Sequence, residues 1–389
     1  MTISKTPVYL DSNATTAPLP AVVEAVAAAM AGEWANPSSK HGPGDAARAR
    51  LGAARATIAA HLGCKPAQIV FTSGATEANA MALAGAAARA HRPRVLVSAA
   101  EHAGLLAFAR RMPDVGVLPL NRDGSLDLAA AVDAIDERVS LVSVMAANNE
   151  TGVLMPIEAL AQAAHARGAL LHVDATQRVG KLGFDFSNCG ADLASVSAHK
   201  LHGPKGVGAL LVGPGIAWPA LLPGAQERGR RGGTENLPAI AGFAAAARAV
   251  LGEPALLESS ARVTLLRDRL ERELARAVPG VEVYGRACER LPNTSCMRFG
   301  RVPAEVVLTR LERAGVVASS GSACSSGGTE PSHVLLAMGV PAEAALAAVR
   351  FSLSGTTTRA QIDDALAAAV PVLRAAVAEH VQAVPAFAA

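Results

Sequence analysis

Positions 195–206 read Ser195-Val196-Ser197-Ala198-His199-Lys200-Leu201-His202-Gly203-Pro204-Lys205-Gly206. Lys200 follows an apolar run that has the length of a buried strand, and a turn rich in glycine and proline comes directly after it. Most lysines lie at the surface, but the strand before Lys200 predicts a position close to the interior. A lysine in such a position is suited to covalent Schiff-base chemistry.

Similar strands recur through roughly the first two-thirds of the chain. The candidate strands are 69–72, 94–98, 141–146, 170–174, 193–197 and 207–212. They are continuous apolar runs, which are typical of strands buried on both faces of a sheet. The candidate helices that alternate with them include 44–62, 75–90, 157–167 and 237–251. This alternation predicts an α/β fold with a mainly parallel sheet flanked by helices.

The pattern changes after Pro254. A long charged helix is predicted near 258–277, and it is followed by strands at 281–284 and 295–299, a helix at 304–314, a strand at 349–354 and a closing helix from Arg359. Such a mixture indicates a separate, smaller α+β domain, with a boundary near residue 253.

Length and charge limit the function further. The 389 residues suit two domains, and 36 basic residues are mixed with 33 acidic ones to give a net charge of +3. Because there is no basic block, we expect no nucleic-acid partner. The N-terminus lacks the pattern of a signal peptide and no apolar run reaches the length of a membrane span, so we expect a cytoplasmic protein.

Two further segments supply groups that complement Lys200. In the turn 71–77 a helix begins after a glycine, so free N–H groups and the hydroxyls of Ser73 and Thr76 can bind an anion. Asp174 ends a buried strand, where α/β sheets bind ligands, and can pair with a protonated heterocyclic nitrogen. Either segment alone is equally explained by capping of a helix or turn. Together with Lys200 they predict pyridoxal phosphate as the cofactor. The helix start would bind its phosphate, Asp174 would pair with its pyridine nitrogen, and Lys200 would react with its aldehyde.

Further short motifs follow one another from Tyr9 to about Thr358. They lie at 10–16, 36–41, 72–79, 101–102, 148–152, 172–177, 197–208, 227–236, around Cys324 with 330–333, and at 350–352. In these motifs the chain resembles the cysteine desulfurases of the NifS/IscS type, in the class V aminotransferase group of fold-type I enzymes. The resemblance implies a seven-stranded sheet in a large cofactor domain over 15–253, and a small domain over 1–14 and 254–389.

The resemblance also implies a role for each matching cofactor residue. Lys200 would hold pyridoxal phosphate covalently, Asp174 would pair with the pyridine nitrogen, and Gln177 would contact the ring oxygen. His102 would stack on the ring and carry protons. The phosphate would be held by Ala75, Thr76, Ser197 and His199.

Substrate and subunit contacts follow from the same resemblance. Asn149 and Arg350 would hold the carboxylate of L-cysteine or the cofactor ring, since a guanidinium–carboxylate fork suits that task. Asn13 would also bind substrate. Thr234 would reach the phosphate in the other subunit, which implies a homodimer.

Two positions depart from the family pattern. Ala198 stands where the family usually has glycine, and Ala225 lies in a stretch that is richer in glycine in the family. Both residues are small, so we expect altered backbone freedom and unchanged chemistry.

One of the five cysteines differs from the rest. No Cys-x-x-Cys occurs, and the other four lie in apolar or strand-like surroundings, which predicts inert core thiols. Cys324 lies in a run of serine, glycine and alanine over 319–328, which predicts a flexible loop. Its thiolate would accept sulfur from L-cysteine as a persulfide and pass it to an acceptor protein, for example an iron–sulfur scaffold.

Other functions remain alternatives. A selenocysteine lyase or another class V aminotransferase or lyase would share the cofactor, but the Cys324 loop favours desulfuration. A non-catalytic scaffold is disfavoured because Lys200 and Asp174 are both present. No Gly-x-Gly-x-x-Gly follows the early strands, which disfavours a nicotinamide enzyme. His199 and His202 lack a third ligand at metal spacing, so no metal site is predicted.

Overall fold

The structure is a computed structural model that describes residues 6–87, 91–321 and 330–383. In the first part of the chain the elements are, in order, β1 Val8–Tyr9, α1 Pro20–Gly32, α2 Gly42–His61, β2 Ile69–Thr72, α3 Ala75–Ala87, β3 Arg94–Ser98, α4 Ala103–Ala109, β4 Val115–Leu118, α5 Leu128–Ala134, β5 Val139–Met145, α6 Ile157–Ala166, β6 Leu170–Asp174, β7 Leu193–Ser197, β8 Gly208–Val212, α7 Gln226–Gly229 and α8 Leu237–Val250. Short 3₁₀ turns at Pro66–Gln68 and Ala198–Lys200 precede β2 and follow β7.

A seven-stranded sheet forms the centre of this part, as predicted. Its strand order is β2-β8-β7-β6-β5-β3-β4. β8 is antiparallel to both of its neighbours, and every other pair is parallel. The strands β2 to β7 therefore all end at the same edge of the sheet, which is the edge where α/β folds bind ligands.

Helices cover both faces of the sheet. All residues of β2, β5, β7 and β8 are buried. One apolar cluster joins the sheet to α2, α6 and α8, and a second joins it to α3 and α4. Burial on both faces explains why these strands are continuous apolar runs in the sequence.

The second part of the chain has its own sheet and core. Its elements are α9 Glu253–Ala277, β9 Val281–Tyr284, β10 Thr294–Phe299, α10 Ala304–Arg313, β11 Val316–Val317, β12 Ser319–Ser320, α11 His333–Ala337, α12 Ala342–Leu346, β13 Ala348–Ser352 and α13 Arg359–Ala383. Four of the strands form an antiparallel sheet in the order β12-β13-β10-β9, and β1 pairs with β11. Leu10 belongs to the core of this part, together with side chains from α9, α10 and α13.

The break between the two parts falls between α8, which ends at Val250, and α9, which begins at Glu253. The division into domains at residue 253 stays a prediction. Within the described ranges no single helix has the length and hydropathy needed to span a membrane. Helices α8 and α9 meet those criteria only when they are counted together, and a 73° bend separates them.

Candidate active site

A cavity of about 480 Å³ opens at the edge of the sheet where the parallel strands end. Strand ends, the first turn of α3 and the segment before α1 form its walls. The predicted site residues that line it are Asn13, Ala75, Thr76, His102, Asn149, Asp174, Gln177, Ser197, His199 and Lys200. Residues predicted from six separate motifs of the sequence thus share one cavity.

Lys200 occupies the 3₁₀ turn that directly follows β7. Its Nζ donates hydrogen bonds to the backbone oxygens of Asn13, at 2.6 Å, and of Ala14, at 2.8 Å. The buried side chain of Ala198 starts the turn, and a Cβ on Gly203 would lie 2.8 Å from the Ala198 Cβ. The glycine at 203 therefore leaves room for the alanine that stands where the family usually has glycine.

Asp174 ends β6 and is buried. Its Oδ2 accepts a hydrogen bond from Asn79 Nδ2 at 2.7 Å, and its Oδ1 accepts one from the Thr176 backbone N–H at 3.0 Å. Beside it, burial and the negative charge of Asp174 raise the pKa of Glu101 well above its ordinary value. The raised pKa favours the neutral form of Glu101, which reduces the negative charge next to Asp174.

Behind Asp174, His172 lies in the core of the sheet. Its Nδ1 and Nε2 are 2.8 Å and 2.9 Å from the hydroxyls of Ser143 and Ser195. Burial lowers the pKa of His172 to about 4, against the opposing effect of Asp174. His172 is therefore neutral at physiological pH, and both of its ring nitrogens have partners.

The opposite end of the cavity has the features of an anion site. α3 begins there, and its Ala75 and Thr76 line the cavity together with Ser197. Burial, together with the charges of Lys200 and Lys205, lowers the pKa of His199 to about 4. A neutral imidazole, hydroxyl groups and a helix N-terminus suit a phosphate, because each can donate hydrogen bonds to it.

His102 is the N-cap of α4, and its Nδ1 accepts a hydrogen bond from the Gly104 N–H at 3.1 Å. In the neutral ring the proton is therefore on Nε2. Gln177 donates from Nε2 to the Asn13 backbone oxygen at 3.1 Å. Asn149 is also buried, and its backbone oxygen accepts a hydrogen bond from Asn13 Nδ2 at 3.0 Å.

Three predicted site residues do not line this cavity. Arg350 is buried behind it, where its guanidinium pairs with Asp11 at 2.7 Å and contacts the Asn149 backbone oxygen at 3.3 Å. Thr234 lines a neighbouring cavity of about 220 Å³. Cys324 lies within 322–329, outside the described residues. The roles of all three stay predictions.

The prediction that the other four cysteines are core thiols is correct for Cys296, which is buried, and in part for Cys64 and Cys189, which are half-buried and pack against the core of the first part of the chain. Cys64, Cys189 and Cys288 are partly exposed because they lie in turns and loops at the edges of the packed elements. Burial raises the pKa of all four thiols, and it does so to about 12 for Cys64. They are poor nucleophiles at neutral pH, because the thiolate is the reactive form.

The structure also identifies residues that the sequence did not. Asn79 orients Asp174, and Glu101 is a buried neighbour of Asp174 whose pKa is raised. Both residues lie inside motifs that resemble the family. The signal that could have pointed to Asn79 is Asp174, a strand-end carboxylate that needs a hydrogen-bond partner. Lys181 lies within hydrogen-bond distance of Asn13 and Gln177 and has no distinctive sequence signal.

The residues present fit pyridoxal phosphate. The cavity contains an amine, a buried carboxylate and an anion-binding helix start in one connected space. Two buried polar atoms that face this region, Asn79 Oδ1 and Thr176 Oγ1, have no hydrogen-bond partner among the described residues. Such atoms are costly to bury unless a ligand or water completes them.

Comparison with known proteins agrees with this fold. The family model for class V aminotransferases matches residues 8–365. A cysteine desulfurase of Cereibacter sphaeroides is 46% identical over 374 residues, covering 94% of this chain and 95% of that protein. A cysteine desulfurase of Rhodobacter capsulatus is 45% identical over 368 residues, covering 92% and 94%. The chain therefore belongs to the class V aminotransferase family, and the resemblance to cysteine desulfurases is confirmed.

Solved structures lead to the same family. A NifS-like protein superposes with a TM-score of 0.87 at 32% identity, covering 95% of this chain and 99% of that protein. The NifS-like protein of Rickettsia africae has a TM-score of 0.86 at 31% identity, with coverage of 94% and 99%. A third structure, of SspA in complex with cysteine, has a TM-score of 0.78 at 29% identity, with coverage of 90% and 99%.

Proposed function

We propose that this protein is a pyridoxal-phosphate-dependent cysteine desulfurase that converts L-cysteine to L-alanine and transfers the sulfur to an enzyme cysteine. The observation that carries the proposal is the convergence of Lys200, Asp174 and the N-terminus of α3 on one cavity. The identity to curated cysteine desulfurases, up to 46% over nearly the whole chain, supports the choice of this reaction within the family.

Each wall of the cavity takes one part of the cofactor and substrate. Lys200 holds the cofactor, Asp174 faces its ring nitrogen, and the start of α3 with Ser197 and His199 binds its phosphate. When bound, pyridoxal phosphate supplies an aldehyde for attachment and a ring that accepts electrons. The Lys200 amine moves the Cα proton of the substrate, while Asp174 keeps a proton on the ring nitrogen. Gln177 and His102 contact the ring. Asn13 binds the substrate, and Asn149 and Arg350 hold the substrate carboxylate or the cofactor ring.

The sulfur acceptor in the enzyme is Cys324. Its thiolate attacks the substrate sulfur, and the Cβ–S bond of the substrate breaks. The electron pair of that bond stays with Cβ, which becomes the methyl carbon of L-alanine. Cys324 then carries the sulfur as a persulfide. The raised pKa values of Cys64, Cys189, Cys288 and Cys296 support this choice by elimination.

The protein acts as a cytoplasmic homodimer in which Thr234 reaches the phosphate of the other subunit. A partner protein, such as an iron–sulfur scaffold, receives the sulfur from Cys324. The division into a large domain over 15–253 and a small domain formed by 1–14 and 254–389 is part of the same proposal.

The test is product analysis with the purified protein, pyridoxal phosphate and L-cysteine. We expect L-alanine and, with a thiol reductant, sulfide in equal amounts. A keto acid in place of alanine would contradict desulfuration and favour an aminotransferase. Turnover of L-selenocysteine without turnover of L-cysteine would instead identify a selenocysteine lyase.

A further inference from the structure

A second lysine is buried directly behind the site. Lys181 follows β6 by a short turn and is 9% exposed. Its Nζ donates to Asn13 Oδ1 at 2.8 Å and to Gln177 Oε1. A small cavity of about 30 Å³ behind the main one is lined by both Lys181 and Lys200. A buried lysine is uncommon, and this one contacts two residues of the main cavity wall.

The chemistry of lysine determines how these two amides are oriented. A protonated lysine donates hydrogen bonds and accepts none, so only the oxygen end of each amide can face Lys181. For Gln177 this orientation directs Nε2 toward the Asn13 backbone oxygen and leaves the second N–H of Nε2 available. For Asn13 it directs Nδ2 to the Asn149 backbone oxygen and to Thr294 Oγ1, at 3.0 Å and 2.8 Å.

The same contacts lead to Lys200. The backbone oxygen of Asn13 accepts hydrogen bonds from both Lys200 Nζ and Gln177 Nε2. Burial lowers the pKa of Lys181 well below its ordinary value, and the charges of Lys200 and Arg350 lower it further. The neutral amine also has two N–H groups for its two acceptors, as the observed contacts require, but only the protonated amine is donor-only.

We propose that Lys181 is a positioning residue, which fixes the Gln177 amide so that it presents an N–H group to the cavity and which supports the Asn13 segment whose backbone oxygen accepts a hydrogen bond from Lys200. The inference rests on the proposed function, since Gln177 and Lys200 act in that reaction. Without Lys181 the Gln177 amide can rotate by half a turn, and Gln177 would then present an oxygen where a donor is required. The Asn13 amide stays oriented by Asn293 Nδ2, which donates to its Oδ1 at 3.0 Å.

The experiment compares Lys181→Met and Lys181→Arg with the native holoenzyme. We expect Lys181→Met to lower kcat by about 10- to 100-fold and to weaken cofactor binding by about 10-fold, the range found when outer residues that orient a site are lost. KM for L-cysteine should change less than kcat. Lys181→Arg keeps a donor-only group and should recover a larger share of kcat than methionine does.

A matched control separates positioning from stability. Arg267 is also a buried cation, 7% exposed, and it binds the Leu291 backbone oxygen outside the cavity. Arg267→Met should lower the thermal stability and leave kcat and cofactor affinity close to native. If Lys181→Met gives insoluble protein, Lys181→Arg and Lys181→Gln are measured in its place. The donor-only arginine should then exceed glutamine in kcat, and the reverse order would overturn the proposal.

A double-mutant cycle tests the route of the effect. Because Lys181 acts through Gln177, Lys181→Met should cost much less in a Gln177→Ala background than alone. Fully multiplicative losses, or a Lys181→Met enzyme with native kcat and cofactor affinity, would overturn the inference. Failure of the proposed function would look different, because the native enzyme itself would then form no alanine from L-cysteine.

Discussion

The two sides of Lys200 are built differently. The front wall, formed by Asp174, Thr176 and Asn79, includes buried polar atoms that have no partner among the described residues. The rear network is formed by Asn13, Lys181, Asn293, Thr294, and Arg350 with Asp11. Nearly all of its polar atoms are bonded within the protein, and Arg350 Nε is the exception in the described part.

This difference separates binding from positioning. A wall with incomplete hydrogen bonds gains free energy when a ligand completes them, because an unpaired buried polar group is costly. A network whose polar atoms are nearly all bonded gains less from a ligand, and apart from the substrate contacts proposed for Asn13 and Arg350 it fixes where the front residues lie. Substitutions in the front wall should therefore change the chemistry, and substitutions in the rear network should change orientation or stability.

The largest effect is expected at the point where the two sides meet. Lys200→Ala should reduce alanine formation by about 10⁴-fold, because it removes both the covalent anchor and the base for the Cα proton. The visible absorbance of the lysine-bound cofactor should also disappear. A variant with an unchanged visible spectrum would show that another residue holds the cofactor.

A nearly complete loss of sulfide release, without loss of the cofactor, is expected for Cys324→Ala. The front wall is intact in this variant, so the cofactor should remain bound with a native spectrum while sulfide release is lost. The matched control is Cys288→Ala, since Cys288 is a partly exposed thiol whose pKa is raised by burial and by Asp123. Equal activity of both variants with L-cysteine and an acceptor would remove Cys324 from the reaction.

A smaller loss of kcat is expected for Asp174→Ala. Without the carboxylate the ring nitrogen is not held in its protonated form, so kcat should fall by about 10²-fold or more. Asn79→Ala removes only the residue that orients Asp174 and should cost less. Both are measured as kcat and as the cofactor dissociation constant. An Asn79→Ala defect larger than that of Asp174→Ala would contradict the assigned order.

The smallest effect concerns stability and its pH dependence. Glu150 lies next to Asn149, its Oε2 accepts a hydrogen bond from Ser332 Oγ at 2.5 Å, and burial raises its pKa to about 7. Because the folded protein holds a proton here that the unfolded chain releases near pH 4.5, the stability that Glu150 contributes is lost as the pH rises through 7.

Glu150→Gln removes this titration. We subtract the free energy of unfolding of the native protein from that of the variant at each pH. This difference should be larger at pH 8 than at pH 4 by about 3 kcal/mol. Urea denaturation at both pH values measures the difference. The same stability difference at both pH values would contradict the assignment of this titration to Glu150.

Much of the fold follows from the sequence because strands buried on both faces leave continuous apolar runs. The predicted ranges 69–72, 94–98, 170–174 and 193–197 coincide with β2, β3, β6 and β7. β4 escaped prediction because it is a partly exposed edge strand that contains Gly116. The charged helix was placed at 258–277 but begins at Glu253, because Pro254 occupies its first turn, where proline is tolerated.

The site was predictable to the extent that its residues follow strands or begin helices. Lys200 and Asp174 do so, and their convergence follows from strands that end at one edge. The rear network could not be predicted in the same way. Lys181 bonds Asn13 across 168 positions, and Arg350 bonds Asp11 across 339, so these contacts exist only after distant segments of the chain have packed together.

The proposed function requires that Lys200 is the lysine that holds pyridoxal phosphate, with Lys181 beside it as a positioning residue. Borohydride reduction of the holoenzyme, followed by proteolysis and mass spectrometry, locates the lysine that carries the cofactor. We expect the added mass on the peptide that contains Lys200, with Lys181 and Lys205 unmodified. Cofactor mass on Lys181 or Lys205, or on no lysine at all, would contradict it.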